Sequence, residues 1–139
     1  MLVQVHGEPD RTHKCSLKGR DRRELLDELP SILDNTRLAA LQHKVSSVRA
    51  SEALLDYIQD LIAASRRSPR FLHGLSPRAG LALLAAARAW AFLEGREMVL
   101  PEDVQAVAPS VMGHRLPAAD ARGAPLALVG ELIGSVPIP

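Results

Sequence analysis

A chain of 139 residues is the size of one ordinary domain and can bury a real core. It is 47% apolar but only 3% aromatic, and alanine and leucine supply most of the apolar mass, which argues against a sheet and for an all-α fold, a small helical bundle of about four to six helices. A formal net charge of +1 excludes an overall field strong enough for nonspecific nucleic-acid binding, although charge can still be concentrated locally.

The start, "MLVQVHGEPD", has neither a signal-peptide nor an anchor pattern. "LVQV" alternates like the end of a strand and "GEP" breaks it, so the strand would lack a partner if everything downstream is helical. Cys15 is alone, which excludes an intramolecular disulfide and makes the reducing cytoplasm the simple reading. "GRDRRELLDELP" predicts a short helix with Leu25, Leu26 and Leu29 on one side, stopped by Pro30. "NTRLAALQHKV" offers Thr36 as N-cap and Leu38, Leu41 and Val45 as a stripe. In "ASEALLDYIQDLIAASRR", Ser51 caps and Glu52 suits the positive helix start. Leu54, Ile58, Leu61 and Ile62 share a face there, and Arg66 and Arg67 sit at the favourable end, predicting a helix over 52–67.

Ser76 as cap and Pro77 at the first helical position launch a helix that Gly95 ends. Its middle, "LALLAAARAWAFL", is apolar nearly all round, which predicts the central, most buried helix, yet "AGLALLAAA" is too short to cross a bilayer. "LPEDVQAVAPSV" starts another helix with Pro101, Glu102 and Asp103 in its first turn and an expected interruption at Pro109. "PAADARGAP" has linker composition, and "PLALVGELIGSVPIP" predicts a short helix with Leu126, Val129, Leu132 and Ile133 on its apolar face, then an extended tail.

Motifs exclude most chemistry. No G-x-x-x-x-G-K-[ST] occurs, so the chain cannot by itself cradle phosphates in the P-loop manner. His6, His13, His43, His73 and His114 form no H-E-x-x-H, and no metal site is expected. Ser65, Ser68 and Ser76 lack a G-x-S-x-G elbow or a recognisable base, which argues against nucleophilic catalysis. Basic residues gather around one loop: Arg66, Arg67, Arg70 and Arg78, with His73 between them. Arg66 and Arg67 complement a helix C-terminus, and Arg70 reads as solvated. Arg78 differs, because the dipole disfavours a cation in a first helical turn by a few tenths of a kcal/mol, roughly. A phosphate would compensate, since first-turn N–H groups and a guanidinium fork suit an anion. So would a carboxylate such as Asp56, Asp60 or Asp103; composition alone leaves the two open.

"HGLSPRAGLALLAAARAWAFLEGREMVLPEDVQAVAPSVMGHRL" resembles the C-terminal lid of MoxR-type AAA+ ATPases, whose wording is close to G-A-S-P-R-A, an alanine-leucine helix, G-R-x-[YF]-V-x-P-x-D-V and A-P-x-V-x-x-H-R. "SSVRASEALLDYIQDLIAASRRSP" resembles the lid's first long helix, "LVQVHGEPDR" the end of the last core strand, and "GSVPIP" the closing V-P-x-P. The resemblance implies a core-strand end and linker over 1–19, a helical lid over 20–116, and a linker, short helix and tail over 117–139. It makes Arg78 the second sensor, reaching the terminal phosphate of ATP, with Ser76 and Pro77 fixing its helix start. ATP and Mg2+ would belong to the complete protein, with none bound tightly by this chain, which has no Walker A or B and is not expected to be a catalyst alone. Implied partners are the AAA+ core, neighbouring subunits of a hexameric ring, and clients often bearing von Willebrand A domains, in chaperone-like remodelling; nucleic acid and membrane are not expected.

Three places depart from the pattern. Leu100 stands where threonine is common, a lost cap worth about 1 kcal/mol if nothing replaces it. Met98 stands where an aromatic is common, and "PDRTHKCSLKGR" is more basic than the family's usual entry into the lid. The rival readings are a stand-alone helical interaction module and a nucleic-acid adaptor using Arg66, Arg67, Arg70 and Arg78.

Overall fold

The computed structural model describes residues 31–120 and 125–139. The strand end and linker expected over 1–19, the helix expected to stop at Pro30, and Cys15 lie outside the described residues. The chain divides into two compact units, Met1–Asn35 and Thr36–Pro139. Five helices are described: α1 (Asn35–Ser47), α2 (Glu52–Arg67), α3 (Pro77–Leu93), α4 (Pro101–Met112) and α5 (Pro125–Gly134). Among the described residues there is no strand, only two isolated bridges, Arg49 with Met98 and Phe71 with Ala118. The all-α expectation holds for this part of the chain.

Helix α2 starts where its cap dictates: Ser51 Oγ accepts the N–H of Leu54 at 3.2 Å. It buries Leu54, Tyr57, Ile58, Leu61 and Ser65. Helix α3 buries Ala79, Leu83, Ala87 and Ala91, a stripe at four-residue spacing whose alanines let α4 lie close, and Gly80, which faces Ile62 of α2. Across that seam α4 brings Val104, Ala108 and Met112, and α5 closes the core with Leu128, Val129 and Leu132. Each fully buried leucine is worth about 1.5–3 kcal/mol. Tyr57 ties α2 to α4, its hydroxyl accepting from Gln105 Nε2 at 3.3 Å.

Several expectations need correction. Helix α1 begins at Asn35, so Thr36 lies inside its first turn instead of capping it, and no α1 residue is buried. Helix α3 is central but buried on one face only: Leu81 is 70% exposed and Leu93 77%. Helix α4 runs through Pro109 to Met112, because proline removes one N–H and leaves the helix anchored by buried Ala108 and Met112 on either side. In α5 the buried face is Leu128, Val129 and Leu132, with Ile133 half-buried beside them and Val136 buried just past the helix end, while Leu126 is 65% exposed. That face is centred between Val129, Leu132 and Val136, which puts residue 126 on its flank.

Helix α3 ends as its glycine requires. Gly95 has φ +74°, Arg96 N–H donates to Ala91 O at 2.9 Å, and Gly95 N–H donates to Phe92 O at 3.0 Å, a Schellman closure. Two other glycines respond oppositely to an added methyl group. At Gly74 it would overlap the backbone of Arg66, which cannot yield; at Gly80 it would meet only the mobile tip of Ile62. Gly74→Ala should therefore destabilise the fold by about 2–3 kcal/mol and Gly80→Ala by less than about 1 kcal/mol in denaturant titrations. Equal losses would contradict this account of the loop.

Candidate functional site

The site is built on the turn between α2 and α3. Ser65, 1% exposed, donates its hydroxyl to Ile62 O at 2.7 Å and accepts the N–H of Leu75 at 2.9 Å. One residue on, Arg66 Nε donates to Leu75 O at 2.8 Å while its stem lies against Gly74. Both polar groups of the Leu75 backbone are thus held by consecutive side chains at the end of α2. The other side of the loop pairs with the chain after α4, through Leu72 N–H to Pro117 O at 3.0 Å and Ala119 N–H to Arg70 O at 2.8 Å. Phe71 and Leu75 are buried beneath it.

From this fixed point α3 starts. Ser76, in an extended conformation, accepts the N–H of Ala79 on its Oγ at 3.3 Å, and Pro77 occupies the first turn. The expected cap and proline are both in place. Arg78 follows directly, exposed, and no described residue offers it an ion pair or a side-chain hydrogen bond. Asp56 and Asp60 are exposed on α2 without bonding it. Asp103 is engaged elsewhere: 1% exposed, it pairs through Oδ1 with Arg96 and accepts the Leu100 N–H on Oδ2 at 2.8 Å. None of the three candidate carboxylates neutralises Arg78.

The four arginines are therefore not one free basic patch. Arg66 is a clamp on the loop and not merely a complement to a helix end. Arg70 is not simply solvated but pairs with Glu131 of α5 at 3.1 Å, an exposed contact worth at most about 1 kcal/mol. Arg67 and Arg78 make no ion pair among the described residues. This weakens the nucleic-acid reading, which needs all four.

Sequence reasoning missed Ser65 as a structural hydroxyl and Asp103 as a keystone. The second was visible as an acid three residues after the helix cap position, the spacing from which a side chain reaches back to the cap N–H. It satisfies the N–H of Leu100 itself, while the first-turn N–H that a threonine hydroxyl would accept gets no side-chain cap. No group of three or more His, Cys, Asp or Glu side chains that could hold a metal ion occurs among the described residues. No described helix is long and apolar enough to cross a membrane.

Residues 63–129 match the AAA lid domain family. The chain is 40% identical over 112 residues to Protein MoxR of Paracoccus denitrificans, covering 68% of this chain and 33% of that protein. It is 36% identical over 94 residues to Chaperone MoxR1 of Mycobacterium tuberculosis, covering 61% of this chain and 25% of that one. This is a MoxR-type AAA+ lid. The lid is also 33% identical over 118 residues to YeaC of Bacillus subtilis, itself uncharacterised, covering 82% of this chain and 37% of that protein. It thus spans 25–37% of the length of these relatives. A crystal structure from Cytophaga hutchinsonii shares the fold, with a TM-score of 0.73 and 23% identity over 96% of this chain and 44% of that one.

The Arg96–Asp103 pair gives the lid a test of its own. Asp103→Ala leaves a guanidinium unpaired and the Leu100 N–H unsatisfied, and should cost about 3 kcal/mol or more by thermal or denaturant unfolding. A loss under about 1 kcal/mol would mean that water replaces the carboxylate.

Proposed function

We propose that this lid closes over ATP held by a P-loop core and that Arg78 binds the terminal phosphate. The observation that carries the reading is Arg78 itself: a cation in a first helical turn, exposed, unneutralised by any described acid, and mounted on a helix start fixed by Ser76 and Pro77. An arginine so placed is unfavourable for its own helix and useful to an anion arriving from outside it.

Arg78 would then act in two ways. Its guanidinium offers forked N–H donors to phosphate oxygens, stabilising negative charge as it develops on the transferring group. Because α2 holds the loop before Arg78, losing that contact after hydrolysis would free the lid to rotate as one body. Ser76 and Pro77 keep the guanidinium aimed. ATP supplies the phosphoryl group, and Mg2+ would be held by the core, of which residues 1–19 would be the last strand end and linker. Support for chaperone-like remodelling comes from the relatives, one of which is named a chaperone. Ring assembly, von Willebrand A clients and a cytoplasmic setting are part of the same proposal.

In the complete ATPase, Arg78→Ala should lower ATP turnover by about tenfold or more, the effect of removing one preorganised charge-stabilising group. The melting temperature should stay unchanged, since the side chain is exposed and unpaired. Unchanged turnover in a folded variant would reject the reading.

A further inference from the structure

Ser65 and Arg66 hold the two backbone polar groups of Leu75 but differ in what surrounds them. The Ser65 hydroxyl is buried and bonded on both sides, donating to Ile62 O at 2.7 Å and accepting the Leu75 N–H at 2.9 Å. Arg66 is exposed, and its Nε donates to Leu75 O at 2.8 Å. Losing a buried hydroxyl strands its partners, whereas water can stand in for an exposed donor. The first bond is a folding contact; the second adds little to stability.

What the Arg66 bond fixes is direction. Leu75 O belongs to the peptide that joins Leu75 to Ser76, so the bond sets the plane in which the chain enters α3. Beyond that peptide little can turn: Ser76 has φ −82° and ψ 161° with its hydroxyl on the Ala79 N–H, and the Pro77 ring confines φ to about −65°. Arg78 comes next. The other end of the link is equally fixed, because the Arg66 stem lies on Gly74 with no room for a Cβ between them. Arg66 and Pro77 also line the same cavity of about 410 Å³ between α2 and α3, which sets this side chain beside the first turn that carries Arg78. Any rotation of the Leu75–Ser76 peptide is magnified at the guanidinium of so long a side chain.

We infer that Arg66 is a positioning residue for phosphoryl transfer: its bond to Leu75 O aims Arg78 at the terminal phosphate, and Arg66 itself touches no substrate. The inference rests on the lid reading and adds to it a second residue, on a different helix. Since the bond acts and not the charge, two substitutions of similar length should part company. Glutamine carries its Nε2 as far along the side chain as arginine carries Nε, and can donate to Leu75 O without a charge; methionine fills the stem's place and donates nothing.

The test is steady-state ATP turnover by the complete ATPase, with the melting temperature of each variant. Arg66→Met should lower kcat by about threefold to tenfold, no more than Arg78→Ala does, and change KM for ATP by less than about twofold, because misplacing a charge-stabilising group is felt chiefly in the transition state. Arg66→Gln should return kcat to within about twofold of the wild type, as the bond is kept. In an Arg78→Ala background Arg66→Met should change nothing further, since it acts through Arg78. Arg66→Met should melt close to the wild type and Ser65→Ala well below it. Wild-type kcat in Arg66→Met, with turnover still lost in Arg78→Ala, overturns the positioning role and spares the lid reading. Turnover indifferent to Arg78→Ala rejects the lid reading and the inference with it. Glutamine as slow as methionine would mean that the charge is used directly, and a further loss from Arg66→Met in the Arg78→Ala background would mean a route that bypasses Arg78; either overturns the inference. So does an Arg66→Met protein that melts as low as Ser65→Ala, which would make Arg66 a structural residue.

Discussion

The turn between α2 and α3 is where this structure has least freedom, and the rest depends on it. Two consecutive side chains, Ser65 and Arg66, hold the N–H and C=O of Leu75 at 2.9 and 2.8 Å, while Gly74 presses its backbone onto Arg66. Because the Ser65 bonds are buried, breaking them would strand polar groups away from water, and the arrangement has no cheap alternative. The next residue caps α3. The direction in which α3 leaves the loop, and with it the position of Arg78, is therefore set by α2 and not by the helix that carries it.

A second, similar device sits at the other end of α3. Gly95 turns the chain in the left-handed conformation, Arg96 crosses to buried Asp103, and Asp103 reaches back to cap Leu100. Val99 and Val104 are buried on either side. The G-R-x-x-V-x-P-x-D-V pattern is thus a joint that fixes α4 against α3, and its polar members serve structure, whereas Arg78 in the S-P-R stretch has no structural partner among the described residues. That contrast separates the two motifs more sharply than their wording does.

Much of this was legible in the sequence because local rules and tertiary packing agree. Ser51, Ser76, Pro77, Pro101 and Gly95 each mark a boundary by backbone chemistry alone, and the structure puts the ends of α2, α3 and the start of α4 at those residues. What was not legible depends on neighbours distant in sequence. Pro109 reads as a breaker, but the burial of Ala108 and Met112 outweighs one missing hydrogen bond. Leu126 and Leu128 are indistinguishable by composition, and only the position of α5 against α2 and α4 selects the second. The nearly all-round apolar character of α3 predicts the most buried helix; its outer face, with Leu81 and Leu93, is instead exposed, because the alanine side is the one that meets α4. Spacing could show that Arg78 was out of place on its helix, but not whether an acid of the same bundle would answer it.

The lid account joins these points into one claim: a rigid joint holds a guanidinium out for an anion that belongs to another part of the machine. The most direct measurement is a crystal structure of this lid joined to its P-loop core with a non-hydrolysable ATP analogue bound. The account predicts Arg78 Nη atoms at hydrogen-bonding distance, about 2.7–3.2 Å, from the terminal phosphate. An Arg78 turned away from the nucleotide and paired with a carboxylate would contradict it.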